Sequence, residues 1–172
     1  MANTFTLIQS HTLGSNAAGV DFTSIPNTYT DLLLYFSTRN NTPVEEWVQV
    51  GFNNSTSTYT DILMWCDEGT LRSAVTGDQP SFAGSLAQNG SASNTWSNNS
   101  YYIPNYQAST GKSMTGHSYQ VSTAQSRSYW GWHGNKWANT GAITTINVKT
   151  RQSPNAAILA GSTFYLYGIK NT

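Results

Sequence analysis

Apolar residues recur at every second position along most of the chain, and no stretch longer than about ten residues keeps a helical spacing. The pattern predicts an all-β protein. Phe5 and Leu7, then His11 and Leu13, alternate along a first strand; Val20, Phe22 and Ile25 mark a second, which Pro26-Asn27 ends in a turn. From Leu32 to Phe36 the apolar run is unbroken, as in a central strand covered on both faces. "EWVQVGF" alternates again, Asn53 to Ser57 reads as a loop, and Tyr59 to Cys66 reads as a strand closed by a turn at Asp67-Glu68-Gly69. Val75 to Thr95, rich in Gly, Ser, Ala and Asn, predicts a long surface loop. Strands resume with "SYYIPNY", "GHSYQVST" and "RSYWGWHGNKW", the last with a hairpin turn at Gly134-Asn135 between two aromatic arms. "AITTINVKT" and "STFYLYGIK" complete the chain. About nine or ten short strands parted by turns predict one antiparallel β-sandwich, jelly-roll-like, over residues 1–172.

One string occurs twice. "TYTDLLL" at Thr28 to Leu34 returns as "TYTDILM" at Thr58 to Met64, and Val20-Asp21-Phe22 and Val50-Gly51-Phe52 precede the two copies at the same offset. Two copies are too few for a solenoid. Both read as the start of a strand, where Tyr and Thr suit a half-buried pleat and the Asp accepts backbone N–H groups of the turn. Pro26, Asp31 and Asp61 are therefore expected to hold turns and strand starts rather than to do chemistry.

Composition narrows the function. Only 9% of residues are charged, the formal net charge is zero, and Ser, Thr and Asn make up roughly a third of the chain. The eight Lys and Arg are scattered, without the basic stripe that phosphate neutralisation needs, so nucleic acid is not expected as a partner. Six Trp, ten Tyr and six Phe exclude a disordered chain. No apolar window is long enough to span a membrane, and "MANTFTLIQS" lacks the marks of a signal peptide, so the expectation is a soluble protein made in a cytoplasm. Cys66, the single cysteine, cannot form an internal disulfide and reads as a small buried residue.

The carboxylates fall into no glycosidase motif, and His11, His117 and His133 show no metal-ligand spacing. Gly111-Lys112-Ser113 lacks the upstream glycine of a phosphate loop, Tyr106 standing in its place. No residue is assigned a catalytic, cofactor-binding or metal role. The conspicuous feature is aromatic: Tyr129, Trp130, Trp132, His133 and Trp137. Alternation puts Trp130 and Trp132 on one face, with Tyr129 and His133 on the other. One face joins the core; the other meets a neighbouring subunit or forms a platform on which a sugar ring stacks.

Five segments in order, "FTLIQSHTL" (5–13), "VDFTSIPNTYTDLLL" (20–34), "SYYIPNYQASTGKS" (100–113), "WANTGAITTINV" (137–148) and "STFYLYGIK" (162–170), resemble small β-sandwich structural proteins of tailed bacteriophages of marine and cyanobacterial hosts. The resemblance implies a noncatalytic virion protein, of the capsid-decoration, head-fibre or tail-fibre kind, made in the host bacterial cytoplasm. It further implies docking on capsid or tail proteins and a homo-oligomer, with a trimer favoured. A short chain read as one free-standing domain fits a decoration protein, head spike or small tail component better than the tip of a long fibre. The segment "YWGWHGNKW" is richer in tryptophan than that family pattern. The alternative expectation is a carbohydrate- or host-receptor-binding domain, with Trp130, Trp132 and Trp137 stacking on a surface glycan. A depolymerase using two carboxylates ranks third.

Overall fold

The structure is a computed structural model that describes residues 4–42, 47–67, 69–77, 82–85, 95–122, 127–151 and 156–170. Its strands, numbered in chain order, form two antiparallel sheets. The larger has eight, in the order β1 (Phe5–Thr12), β12 (Thr163–Ile169), β3 (Asp31–Thr38), β8 (Ser97–Ile103), β9 (Lys112–Ser122), β10 (Arg127–Trp137), β5 (Tyr59–Asp67) and β6 (Thr70–Gly77). The smaller has four, in the order β2 (Gly19–Phe22), β11 (Ile146–Thr150), β4 (Trp47–Phe52) and β7 (Phe82–Ser85).

Eight of these strands make a jelly roll: β1-β12-β3-β8 lies over β2-β11-β4-β7, the order produced by two interlocked Greek keys. The other four are two hairpins inserted in the chain, β5–β6 after β4 and β9–β10 after β8. Both add to the same sheet beyond β8, in the order β9-β10-β5-β6, and double its width.

Three sequence expectations are corrected. The stretch from Val75 to Thr95 is not one loop, because it contains the end of β6 and all of β7; residues 78–81 and 86–94 lie outside the described ones. Gly134-Asn135 is not a turn. Both residues lie within β10, opposite Thr115 and Met114 on β9 and Ile62 and Asp61 on β5, and neither has the positive φ that a type I′ turn demands. Such a turn does occur at Asn53-Asn54 (φ 52° and 56°), where Ser55 N–H donates to the Phe52 carbonyl at 2.9 Å. Finally, β3 is central but covered on one face only, since Tyr35 points outward and remains 39% exposed.

The core fills the space between the sheets. Leu32, Leu34 and Phe36 of β3, Tyr101 and Ile103 of β8, and Phe164 and Leu166 of β12 meet Val20, Phe22, Val48, Val50, Phe52, Ile146 and Val148 from the smaller sheet. Each such side chain contributes about 1.5–3 kcal/mol of burial. The repeated sequence has a structural counterpart here. Val20-Asp21-Phe22 and Val50-Gly51-Phe52 flank β11 on its two sides in the same register, Phe22 and Phe52 both opposite Ile146, Val20 and Val50 both opposite Val148. After each, the chain crosses from the smaller sheet to the larger. One way of crossing is used twice, and the copies then diverge: β3 lies in the jelly roll, β5 in the added half of the sheet.

Candidate functional site

The aromatic segment is a single straight strand, so parity divides it. Tyr129, His133 and Trp137 turn inward and are buried. Tyr129 meets Trp47 edge-on at 5.3 Å; Trp137 stacks on Tyr59 at 5.9 Å and meets Phe52 edge-on at 5.6 Å. Trp130 and Trp132 turn outward, 37% and 57% exposed, with ring centroids 5.3 Å apart. Of the three tryptophans expected to stack on a ligand, Trp137 is therefore excluded, because its ring is part of the core.

Cross-strand register shows what surrounds the two exposed rings. Trp132 stands between His117 of β9 and Met64 of β5; Trp130 stands between Tyr119 and Cys66, which is half-buried on this outer face rather than in the core. The next row runs Tyr102, Thr115, Gly134, Ile62, Val75. Exposed Ile62, Met64, Leu71 and Val75 continue the apolar surface to one edge of the sheet; toward the other edge Tyr35, Leu7 and Phe5 are exposed among polar Asn98, Ser100, Ser37 and Ser10. Among the described outward-facing positions of the eight strands, only Asp31 and Lys136 carry charge. Beside Trp132, where Gly134 and Thr115 have little bulk, lies a depression of about 380 Å³ bounded by Ile62, Met64 and His117.

Behind this face, the inserted strands turn polar residues inward. Ser118 Oγ and His133 Nε2 are hydrogen-bonded at 3.1 Å, and the His133 ring meets that of Tyr101 at 5.7 Å. Burial, reinforced by the nearby His117, pushes the imidazole of His133 down to about 3. Asp61 is 1% exposed, and neither of its oxygens has a hydrogen-bond partner. Burial pushes its carboxyl up to about 7, against the pull of the Arg151 charge. Asn135, directly opposite Asp61, also leaves both polar side-chain atoms unpartnered, as does the Thr76 hydroxyl on the other side.

Ser118 and His133 have the spacing of a nucleophile and its base. An imidazole that stays neutral down to about pH 3 is nevertheless a weak base, and neither Asp61 oxygen bonds to it to orient the ring. The arrangement is a buried polar layer within the sandwich. Among the described residues, no three His, Cys, Asp or Glu side chains gather as metal ligands.

Asp31 and Asp61, equivalent in the sequence repeat, differ in their surroundings. Asp31 opens β3, where Oδ2 accepts the Tyr102 hydroxyl at 2.6 Å and Oδ1 accepts the Asn105 N–H at 2.8 Å, tying the strand start to the turn that follows β8. Pro26, in the turn ahead of β3, has its carbonyl bonded by the Tyr106 hydroxyl. Asp61 lies inside β5 and serves no turn. Asp31→Ala is expected to lower stability by about 2 kcal/mol, because the Asn105 N–H and Tyr102 hydroxyl lose their acceptor. Urea unfolding measures this; an unchanged midpoint would show the two bonds to be worth nothing.

Compared with protein-family models, with curated proteins and with solved structures, the chain matches none. The functional reading therefore rests on the face itself and on the resemblance of the ordered segments.

Proposed function

We propose that this protein is a noncatalytic structural component of a bacteriophage virion, a capsid-decoration, head-fibre or small tail protein that docks on the particle and self-associates. One observation carries the docking: a broad, nearly uncharged sheet face whose added half, β9-β10-β5-β6, exposes a cluster of apolar side chains around Trp130 and Trp132. Solvent-facing apolar area on this scale marks a contact surface. The low charge of the chain supports the same reading, since fewer ions must be desolvated in a close contact. The virion setting comes from the resemblance of five ordered segments to phage structural proteins. The test is uptake by particles assembled without the gene: purified chain should co-sediment with them, and Leu71→Lys with Val75→Lys should reduce its retention at least tenfold. Absence of retention on both heads and tails would refute the proposal.

A second reading, a carbohydrate- or host-receptor-binding domain of a phage fibre, is favoured by the depression beside Trp132, which has an exposed indole wall and a polar neighbour in His117. Glycan-array binding lost in both Trp130→Ala and Trp132→Ala, with folding intact, would select it.

A further inference from the structure

The outer face of the eight-stranded sheet carries both halves of a self-complementary contact. Trp132 projects from β10 as a knob, 57% exposed. Next to it, the small residues Thr115 and Gly134 leave a hole of about 380 Å³. A knob and a hole on one patch let a single surface serve both partners, each knob entering the other's hole, as a two-fold contact requires.

Area and charge agree. Eight strands about 4.8 Å apart, of seven to eleven residues each with about 3.3 Å rise, present roughly 1,100 Å², against about 800 Å² per partner in a standard stable interface. A two-fold axis brings a charged patch up against its own mate. Here the described outward positions hold only Asp31, which is buried and bonded to Tyr102, and Lys136.

We infer that this face seats a second copy of the chain, the two large sheets stacked face to face about a two-fold axis with Trp132 of each copy in the Thr115–Gly134 hole of the other. The inference rests on the reading that the protein self-associates through this face, and it names a two-fold pair where the resemblance implies a trimer.

Sedimentation equilibrium of the purified chain tests it. The expected result is a dimer whose dissociation constant rises roughly 30-fold or more in Trp132→Ala, as for a buried aromatic anchor. Gly134→Leu should act as strongly by filling the hole. A β-carbon at position 134 meets nothing closer than the Ile62 carbonyl at 3.9 Å, so the fold accommodates it, and an unchanged circular dichroism spectrum checks this for both variants. A monomer at every concentration, a three-fold assembly, or a dimer unmoved by both variants overturns the inference. Binding of a monomeric chain to phage particles would overturn this contact while leaving the virion role standing, and dimerisation without particle binding would do the reverse.

Discussion

Asp61→Asn is expected to gain about 4 kcal/mol of stability relative to the parent chain between pH 4 and pH 8. The folded chain holds the Asp61 proton up to about pH 7, whereas the unfolded chain releases it near the ordinary 3.8. Between those values the folded state binds a proton that the unfolded state has lost, so stability falls as pH rises. Above about pH 7 the native state carries an ionised carboxylate in a site where no hydrogen bond receives it. Asparagine has no proton to lose, and its amide is no worse partnered than the carboxyl, so the variant escapes this slope and differs little from the parent at pH 4. Urea midpoints measured across the pH range decide it; parallel curves for the two proteins would mean that Asp61 ionises in the fold without cost.

His133 works in the opposite direction. Its imidazole falls from the ordinary 6.5 to about 3 in the fold, so the stability it supplies is complete above pH 6.5 and is lost as pH drops toward 3. In the parent chain the two slopes offset one another from about pH 4 to 6.5, leaving stability nearly flat there. Asp61→Asn removes one slope and exposes the other: the variant should become steadily less stable on acidification through that same window. A polar layer that is nearly silent in the parent is thus made visible by a single substitution.

How much of this was legible in the sequence depends on what fixed each feature. Alternation alone gives the inner and outer faces, because a pleated strand leaves no choice. It also held the correct placement of Trp137, which shares parity with the buried Tyr129 and His133; grouping it with Trp130 and Trp132 by residue type set that information aside. By the same parity Asp61 falls between inward Tyr59 and Leu63, and its burial was readable there. Gly134-Asn135 was misread because a local turn signal competes with pairing on both sides of β10, and pairing to β9 and β5 over eleven and nine residues outweighs a dipeptide preference. The stretch containing β7 has few apolar residues of its own, so nothing local announces a strand that exists by pairing with β4. The order β9-β10-β5-β6 was beyond reach, since it joins hairpins that come from opposite ends of an intervening jelly-roll strand pair.

Gly116→Ala should lower stability by about 3 kcal/mol or more. Gly116 lies on β9, the strand that joins the jelly roll to the added half of the large sheet. The Tyr101 ring of β8 lies across it toward His133 of β10, 5.7 Å away, a span that only a missing side chain permits. A β-carbon there would stand 2.2 Å from the Ser100 carbonyl oxygen and 2.4 Å from the Tyr101 ring. The carbonyl belongs to the paired backbone and cannot withdraw, so β8 and β9 must separate locally and Tyr101 must leave its stack on Phe36, 5.9 Å away. Gly134→Ala is the control, a strand-interior glycine on the next strand with room for the methyl group, and it should leave stability almost unchanged. Equal urea midpoints for the two variants would contradict the role assigned to Gly116. Because β10, β5 and β6 are hydrogen-bonded to the jelly-roll half of the large sheet through β9, local opening at this junction should also weaken the proposed self-association through Trp132, from the inner side of the sheet and without altering its outer face.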